Sequence, residues 1–245
     1  MSKSDTKVLA QIAPGGTLRA GLNMANKLLN TGTTAAGEPD GVAPDMARAI
    51  AERMGVAVSL VTFPSPGALA DEVSNDMWDI GFIGAEPTRA ETIDFTAAYV
   101  EIEATYLVPD GSPFRTVEEV DSEGTRIAVS GRSAYDLYLT RNLKNAELVR
   151  AQGVPGAVEL FKTGDYDALA ALRPALTAEI DELPGTRILD GKFTAVQQAI
   201  GIARNKPEAA AFLAAFVEEA KASGLVAGLI DMHGVQGRLS VAEPG

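Results

Sequence analysis

Short apolar runs alternate with helical stretches along almost the whole chain, and this alternation limits the fold more than any other feature. "TLRAGLN" reads as a strand, and "VAPDMARAIAERMG" as an amphipathic helix begun by Pro44 and stopped by Gly55. "VAVSLVTF", "WDIGFIG" and "ATYLVPD" follow as strands, with a short helix at "GALADEVSND" and a helical turn at "EPTRAE". The pattern then repeats through "TRIAVSG", "SAYDLYLTRNL", "AELVRA", "VPGAVELFKTG", "YDALAAL", "PALTAEIDEL", "TRILD" and "VQQAIGIAR", and ends in two helices. Strands separated by helices of about ten residues form βαβ units, so the fold class is α/β with largely parallel sheets. Ligands of such sheets bind beyond the carboxyl ends of the strands.

Charge and composition remove several function classes. Against 33 Asp and Glu stand 21 Lys and Arg, a net charge of −12 that repels phosphate backbones, so no nucleic-acid partner is expected. Cysteine is absent and His233 is the single histidine, which excludes thiolate metal sites, multi-histidine sites and a Ser-His-Asp triad. No metal and no cofactor is expected. "GRSAYD" lacks the G-x-S-x-G pattern, and no G-x-x-x-x-G-K phosphate loop occurs. No run reaches the roughly 18 apolar residues of a membrane span, and the N-terminus lacks a secretory core, so no membrane insertion is expected.

The stretch "GAEPTRAETIDFTAAY", residues 84–99, sets Arg89 just after Pro87, in the first turn of a short helix. A cation is disfavoured there by the helix dipole. A paired-donor guanidinium at that place suits a carboxylate arriving as ligand. The alternative is a surface arginine paired with Glu86 or Glu91.

The order of "GTLRAGLN", "DGVAPDMARAIAERMG", "WDIGFIG…EPTRAETIDFTAAYV", "RIAVSGRSAYD" and "GDYDALAAL" resembles the polar-amino-acid group of ABC-importer solute-binding proteins, extracellular solute-binding protein family 3. The most specific piece is "R-x-x-x-I-D-F-T-x-x-Y" from Arg89 to Tyr99. The resemblance implies a two-lobed type II periplasmic binding protein. Each lobe is a largely parallel sheet flanked by helices, and two crossing strands join the lobes. Lobe one is expected at residues 1–101 and 197–245, and lobe two at 102–196. It further implies a monomer that encloses a small carboxylate-bearing solute and delivers it to an ABC transporter permease. The location is periplasmic by resemblance, or cytoplasmic if the N-terminus is native.

On the same resemblance Arg89 grips the ligand carboxylate, and its removal is expected to leave ligand-free stability little changed. Relatives place hydroxyls before this arginine, whereas this chain has Glu86, read as a helix cap more than a ligand contact. In lobe two, Ser133 and Arg132 follow a strand and a glycine turn; Ser133 caps a helix with Asp136 three residues on. Asn23 and Asn26 follow the first strand and suit a polar solute, though both are common turn formers. Gln197 and Gln198 face opposite sides of one strand, so at most one contacts ligand, and Gln197 is taken as that one. Trp78 is read as core.

Where relatives carry an aspartate for the ligand ammonium, this chain has Leu172, beside Arg173. A buried ammonium without an acceptor is costly. The expected ligand is therefore a carboxylate without α-ammonium recognition, held by Arg89 with Arg132 or Arg173. The rival readings are a cyclohexadienyl dehydratase-like enzyme using Glu86, Glu101 or Glu103 as general acid, and a sensing module acting on a separate protein.

Overall fold

A computed structural model describes residues 3–245, with side chains from Thr6 onward. The chain forms two compact units, one from Met1–Glu101 with Gln197–Gly245 and the other from Ile102–Val196.

The first unit begins with α1 (Lys3–Ile12) and β1 (Thr17–Asn23), then a two-stranded ribbon of β2 (Gly32–Thr33) and β3 (Pro39–Asp40). Helix α2 (Val42–Met54), β4 (Ala57–Phe63), α3 (Pro66–Asp71), β5 (Ile80–Gly84) and β6 (Ile93–Phe95) follow. Strand β7 (Val100–Pro109) leads out of this unit.

The second unit continues with β8 (Arg126–Ser130), α4 (Ala134–Asn142), β9 (Glu147–Ala151), α5 (Gly153–Lys162) and β10 (Ala168–Leu172). It closes with α6 (Arg173–Glu179), β11 (Thr186–Ile188) and the start of β12 (Thr194–Ala203), which returns to the first unit. Helices α7 (Pro207–Ala222) and α8 (Leu225–Met232) and β13 (Ser240–Val241) finish the chain.

The two sheets are built alike. In the first unit β4, β1 and β5 are parallel, with β1 central, and β12 runs antiparallel on β5. In the second, β9, β8 and β10 are parallel, with β8 central, and β7 runs antiparallel on β10. The expected parallel arrangement thus holds for three strands of each sheet, and the strand shared between units supplies the antiparallel fourth.

Local chemistry accounts for the elements. In α2, Ala43, Met46, Ala47, Ile50 and Ala51 are buried at helical spacing. The helix starts at Val42, two residues before the expected Pro44, and stops at Gly55 in the left-handed conformation (φ 68°). Leu18, Ala20 and Leu22 alternate into the core from β1. Trp78 is buried against Phe63, Leu69, Ile83 and Ile93, and its indole N–H donates to the Leu69 carbonyl at 3.0 Å. Strands β8 and β10 are continuous apolar runs, as strands covered on both faces require. Elements α1, the β2–β3 ribbon, β6 and β13 go beyond those expected from the sequence.

Candidate functional site

All the candidate residues except Gln197 lie at or just beyond the carboxyl ends of parallel strands. Asn23 ends β1 and Asn26 comes after it, and Glu86 and Arg89 come after β5; Arg132 and Ser133 come after β8, and Arg173 after β10. In the first unit, Leu22 of β1 is in register with Phe82 of β5, so the loops after these strands share one sheet edge.

Arg89 lies in a single turn of 3-10 helix, Arg89–Glu91, and is 5% exposed. Its Nη1 donates to the Gly84 carbonyl at 2.6 Å, which ties the guanidinium to the end of β5. Arg89 is therefore not a surface residue. Three residues of 3-10 helix carry little macrodipole, so the expected clash between Arg89 and a helix N-terminus is weak here. Glu86 is not the cap: Thr88 occupies that position without a side-chain cap bond, and Glu86 contributes its carbonyl to Ala90 N–H at 2.9 Å. The turn is too short to need a side-chain cap. The Glu86 side chain is 8% exposed.

The loop after β1 is organised by asparagines. Asn23 Oδ1 accepts from Ala25 N–H at 3.2 Å, and Asn26 Oδ1 from Leu28 N–H at 3.1 Å. Asn30, missed in the sequence, is 4% exposed and donates its Nδ2 to the carbonyls of Asn23 (2.9 Å) and Asn26 (3.3 Å). The one sequence hint was the four-residue spacing of Asn26 and Asn30.

In the second unit Ser133 caps α4 as expected, its hydroxyl accepting from Asp136 N–H at 3.1 Å. Asp136 reaches one residue further back than a capping box, accepting from Arg132 N–H at 2.7 Å. Arg132 has φ 62°, a conformation that costs a non-glycine residue about 1 kcal/mol. Asp136 is 2% exposed and is held by Arg150 Nε at 2.9 Å, a pairing no local pattern reveals. Burial pushes the neighbouring Tyr135 phenol up to about 12, against hydrogen bonds to Ser133 and Ser130 that lower it.

Arg173 opens α6 and is spent within its own unit. Nε donates to Glu103 at 3.1 Å, and Nη2 to the carbonyls of Leu189 and Gly191. Leu172 is half-buried beside it. Burial would raise the Glu103 carboxyl, but Lys192 and Arg173 outweigh it and hold the group below the ordinary range. A carboxyl so held is a poor general acid near neutrality. Gln197 is half-buried on β12 and its carbonyl accepts from Ala85 N–H at 2.7 Å; Gln198 is buried.

One group of possible metal ligands occurs among the described residues, Asp40, Asp45 and His233, with donor atoms within 4.8 Å of one another. The absence of cysteine and the single histidine exclude thiolate and multi-histidine sites but not a mixed carboxylate–histidine group of this kind. Asp45 is engaged by His233 Nε2 at 2.7 Å and by Arg48 Nη1 at 2.8 Å, so a cation already sits on it. No helix among the described residues is long and apolar enough to cross a membrane.

The profile of the bacterial extracellular solute-binding proteins, family 3, matches residues 18–235. No curated protein matches the sequence at a significant level. Among solved structures, a mutant of ArgBP from T. maritima is 22% identical, with 94% of this chain and 100% of that chain covered and a TM-score of 0.74. AbpA from Streptococcus pneumoniae, an amino acid ABC transporter substrate-binding protein bound to L-arginine, is 20% identical, with coverages of 91% and 96% and a TM-score of 0.72. The ancestral amino acid-binding protein AncCDT-1, a precursor of cyclohexadienyl dehydratase, is 21% identical, with coverages of 91% and 98% and a TM-score of 0.72. Identities this low carry the fold alone, and that fold is the two-lobed type II periplasmic binding fold. The chain belongs to the bacterial extracellular solute-binding proteins, family 3.

Proposed function

We propose that this protein captures a small carboxylate-bearing solute, an amino acid or a related organic acid, and delivers it to an ABC importer outside the cytoplasmic membrane. The observation that carries this reading is Arg89, a buried guanidinium tethered by Nη1 to the end of β5, at the sheet edge where α/β folds bind ligands. Family membership and the amino acid ABC transporter proteins among the structural neighbours support it. Arg89 is the carboxylate anchor. Asn23, Asn26 and Glu86 belong to the same edge, and Arg132, Ser133 and Gln197 supply further polar contacts. Arg173, bound to Glu103 and two carbonyls, acts as a brace for its own unit rather than as a ligand contact. The dehydratase reading loses its support at Glu103, whose carboxyl is held ionised by two cations.

The test is a thermal-shift screen of amino acids, keto acids, hydroxy acids and dicarboxylates, followed by calorimetry and product analysis. A ligand that raises the melting temperature and is recovered unchanged supports capture. Turnover of prephenate or arogenate would replace it with the enzyme, and a screen in which no carboxylate binds would remove it. Small-angle scattering of the bound protein should give a smaller radius of gyration if the lobes close on ligand.

A further inference from the structure

We infer that Arg150 is a positioning residue for solute capture: through the buried carboxylate of Asp136 it fixes the turn that carries Arg132 and Ser133. The inference rests on the capture reading above, which assigns those two residues to the solute.

The turn after β8 does not hold its shape by itself. Arg132 sits at φ 62°, a conformation disfavoured for a non-glycine residue by a factor of roughly five to thirty. Such a conformation persists only where the surroundings impose it. Here the restraint is Asp136 Oδ2, which accepts from Arg132 N–H at 2.7 Å. Asp136 N–H in turn donates to the Ser133 hydroxyl at 3.1 Å, so one residue of α4 grips both residues of the turn.

Asp136 can do this only while its own charge is met. It is 2% exposed, and a buried carboxylate stripped of its cation is costly. Arg150 Nε donates to Asp136 Oδ1 at 2.9 Å and to Oδ2 at 3.2 Å, and Nη2 donates to Thr140 Oγ1 at 2.7 Å. Thr140 closes the loop by donating to the Asp136 carbonyl at 2.7 Å. The sheet places the stem of this arginine. Arg150 of β9 is in register with Val129 of β8, and Gly131 N–H donates to the Ala151 carbonyl at 2.9 Å. A Cβ on Gly131 would lie 3.5 Å from Arg150 Cβ and 3.9 Å from its Cδ, so the stem runs along the turn. The Arg150 side chain is 45% exposed, so water can reach Asp136 once the guanidinium is removed. The turn, and not the core of the unit, is what then loses its restraint.

The test reads the turn and the solute separately. Residue-resolved hydrogen exchange on the ligand-free protein should show the Arg132 amide losing at least roughly fivefold of its protection in Arg150→Met, with Ala128 and Val129 of β8 unchanged. Binding is read by calorimetry with L-arginine, L-glutamate and succinate. Kd for those that bind the wild type should rise by roughly five- to thirtyfold, because only molecules with the turn in shape can bind. In an Asp136→Asn background Arg150→Met should cost nothing further, since Arg150 acts through that carboxylate. Arg150→Lys, which restores the charge, should recover part of the affinity. If Arg150→Met does not fold, judged by circular dichroism, Arg150→Gln is measured in its place. Arg132 protection within twofold of wild type would overturn the inference. So would Kd values within twofold, or a loss of the same size with Asp136→Asn already present. No binding of any of the three probes to the wild type would count against the capture reading and not against the hold of Arg150 on the turn, which the exchange data decide.

Discussion

Replacing Arg89 by alanine should strike binding and folding together, and the two effects can be separated. For binding, the solute carboxylate loses its charged partner in a desolvated place, typically ~2–5 kcal/mol, or roughly thirty-fold to several thousand-fold in Kd. For folding, the sequence suggested little effect, but Arg89 is 5% exposed and donates to Gly84 at 2.6 Å. Losing a hydrogen bond from a charged donor costs ~1.5–3 kcal/mol. At about 2–4 °C per kcal/mol for a chain of this size, the ligand-free Tm should fall by roughly 3–12 °C. Arg89→Lys keeps the charge and one donor. It should restore most of the Tm while recovering little affinity, because an ammonium lacks the paired fork. Calorimetric titration with the tightest ligand from the screen measures the first effect, and scanning calorimetry of the ligand-free protein the second. A Kd for Arg89→Ala within threefold of wild type would refute the anchor role. An unchanged ligand-free Tm would refute the structural role of the Gly84 bond.

Three further outcomes are expected. Gly201→Ala should destabilise the first unit by ~1–3 kcal/mol in urea unfolding, because the new Cβ meets Ile93 Cγ2 at 2.6 Å and Phe95 Cε1 at 3.2 Å; wild-type stability would mean that β6 yields freely. Tyr99→Phe should leave Tm unchanged or raise it by the equivalent of about 1 kcal/mol or less, since the buried hydroxyl has no hydrogen-bond partner among the described residues and the edge contact with Phe82 survives; a clear loss would point to a bound water. Burial would raise the Asp121 carboxyl, but the amides of Ala146, Asn145 and Lys144 outweigh it and hold the group below its ordinary 3.8. Its share of stability is therefore present above that value and lost as pH falls further, and Asp121→Asn should flatten the acid limb of the unfolding curve.

Strand and helix periods and the glycine stops were legible because they are local, set by residues within one or two turns. The family was legible because Arg89 and its neighbours form a specific contiguous run, through Ile93-Asp94-Phe95 to Tyr99. What failed to show depended on distance in the chain. Arg150 of β9 meets Asp136 of α4, and Arg173 meets Glu103 across 70 positions; neither partner is marked by spacing. Glu86 was misread because the start of the helical turn cannot be told from "EPTRAE": the 3-10 turn begins at Arg89, so its cap position falls on Thr88. The direction of the asparagine amides was equally hidden, since composition shows an amide but not which end the backbone has claimed.

The interleaved connectivity also sets an order of events during synthesis. The second unit, Ile102–Val196, is one continuous stretch and is complete once β12 begins to emerge. The first unit is begun earlier but stays unfinished: β5 lacks its antiparallel neighbour β12, and the start of β7 lacks β13, which pairs with Val100 and Glu101. Domains generally fold as units while the chain is being made. Here the N-terminal part of the first unit must wait for residues made after the second unit, with Ile80–Gly84 an apolar strand open along one side until β12 is made. The unit that carries Arg89 is therefore the later one to close, and in the interval between the two the free side of β5 is the apolar edge the nascent chain leaves open.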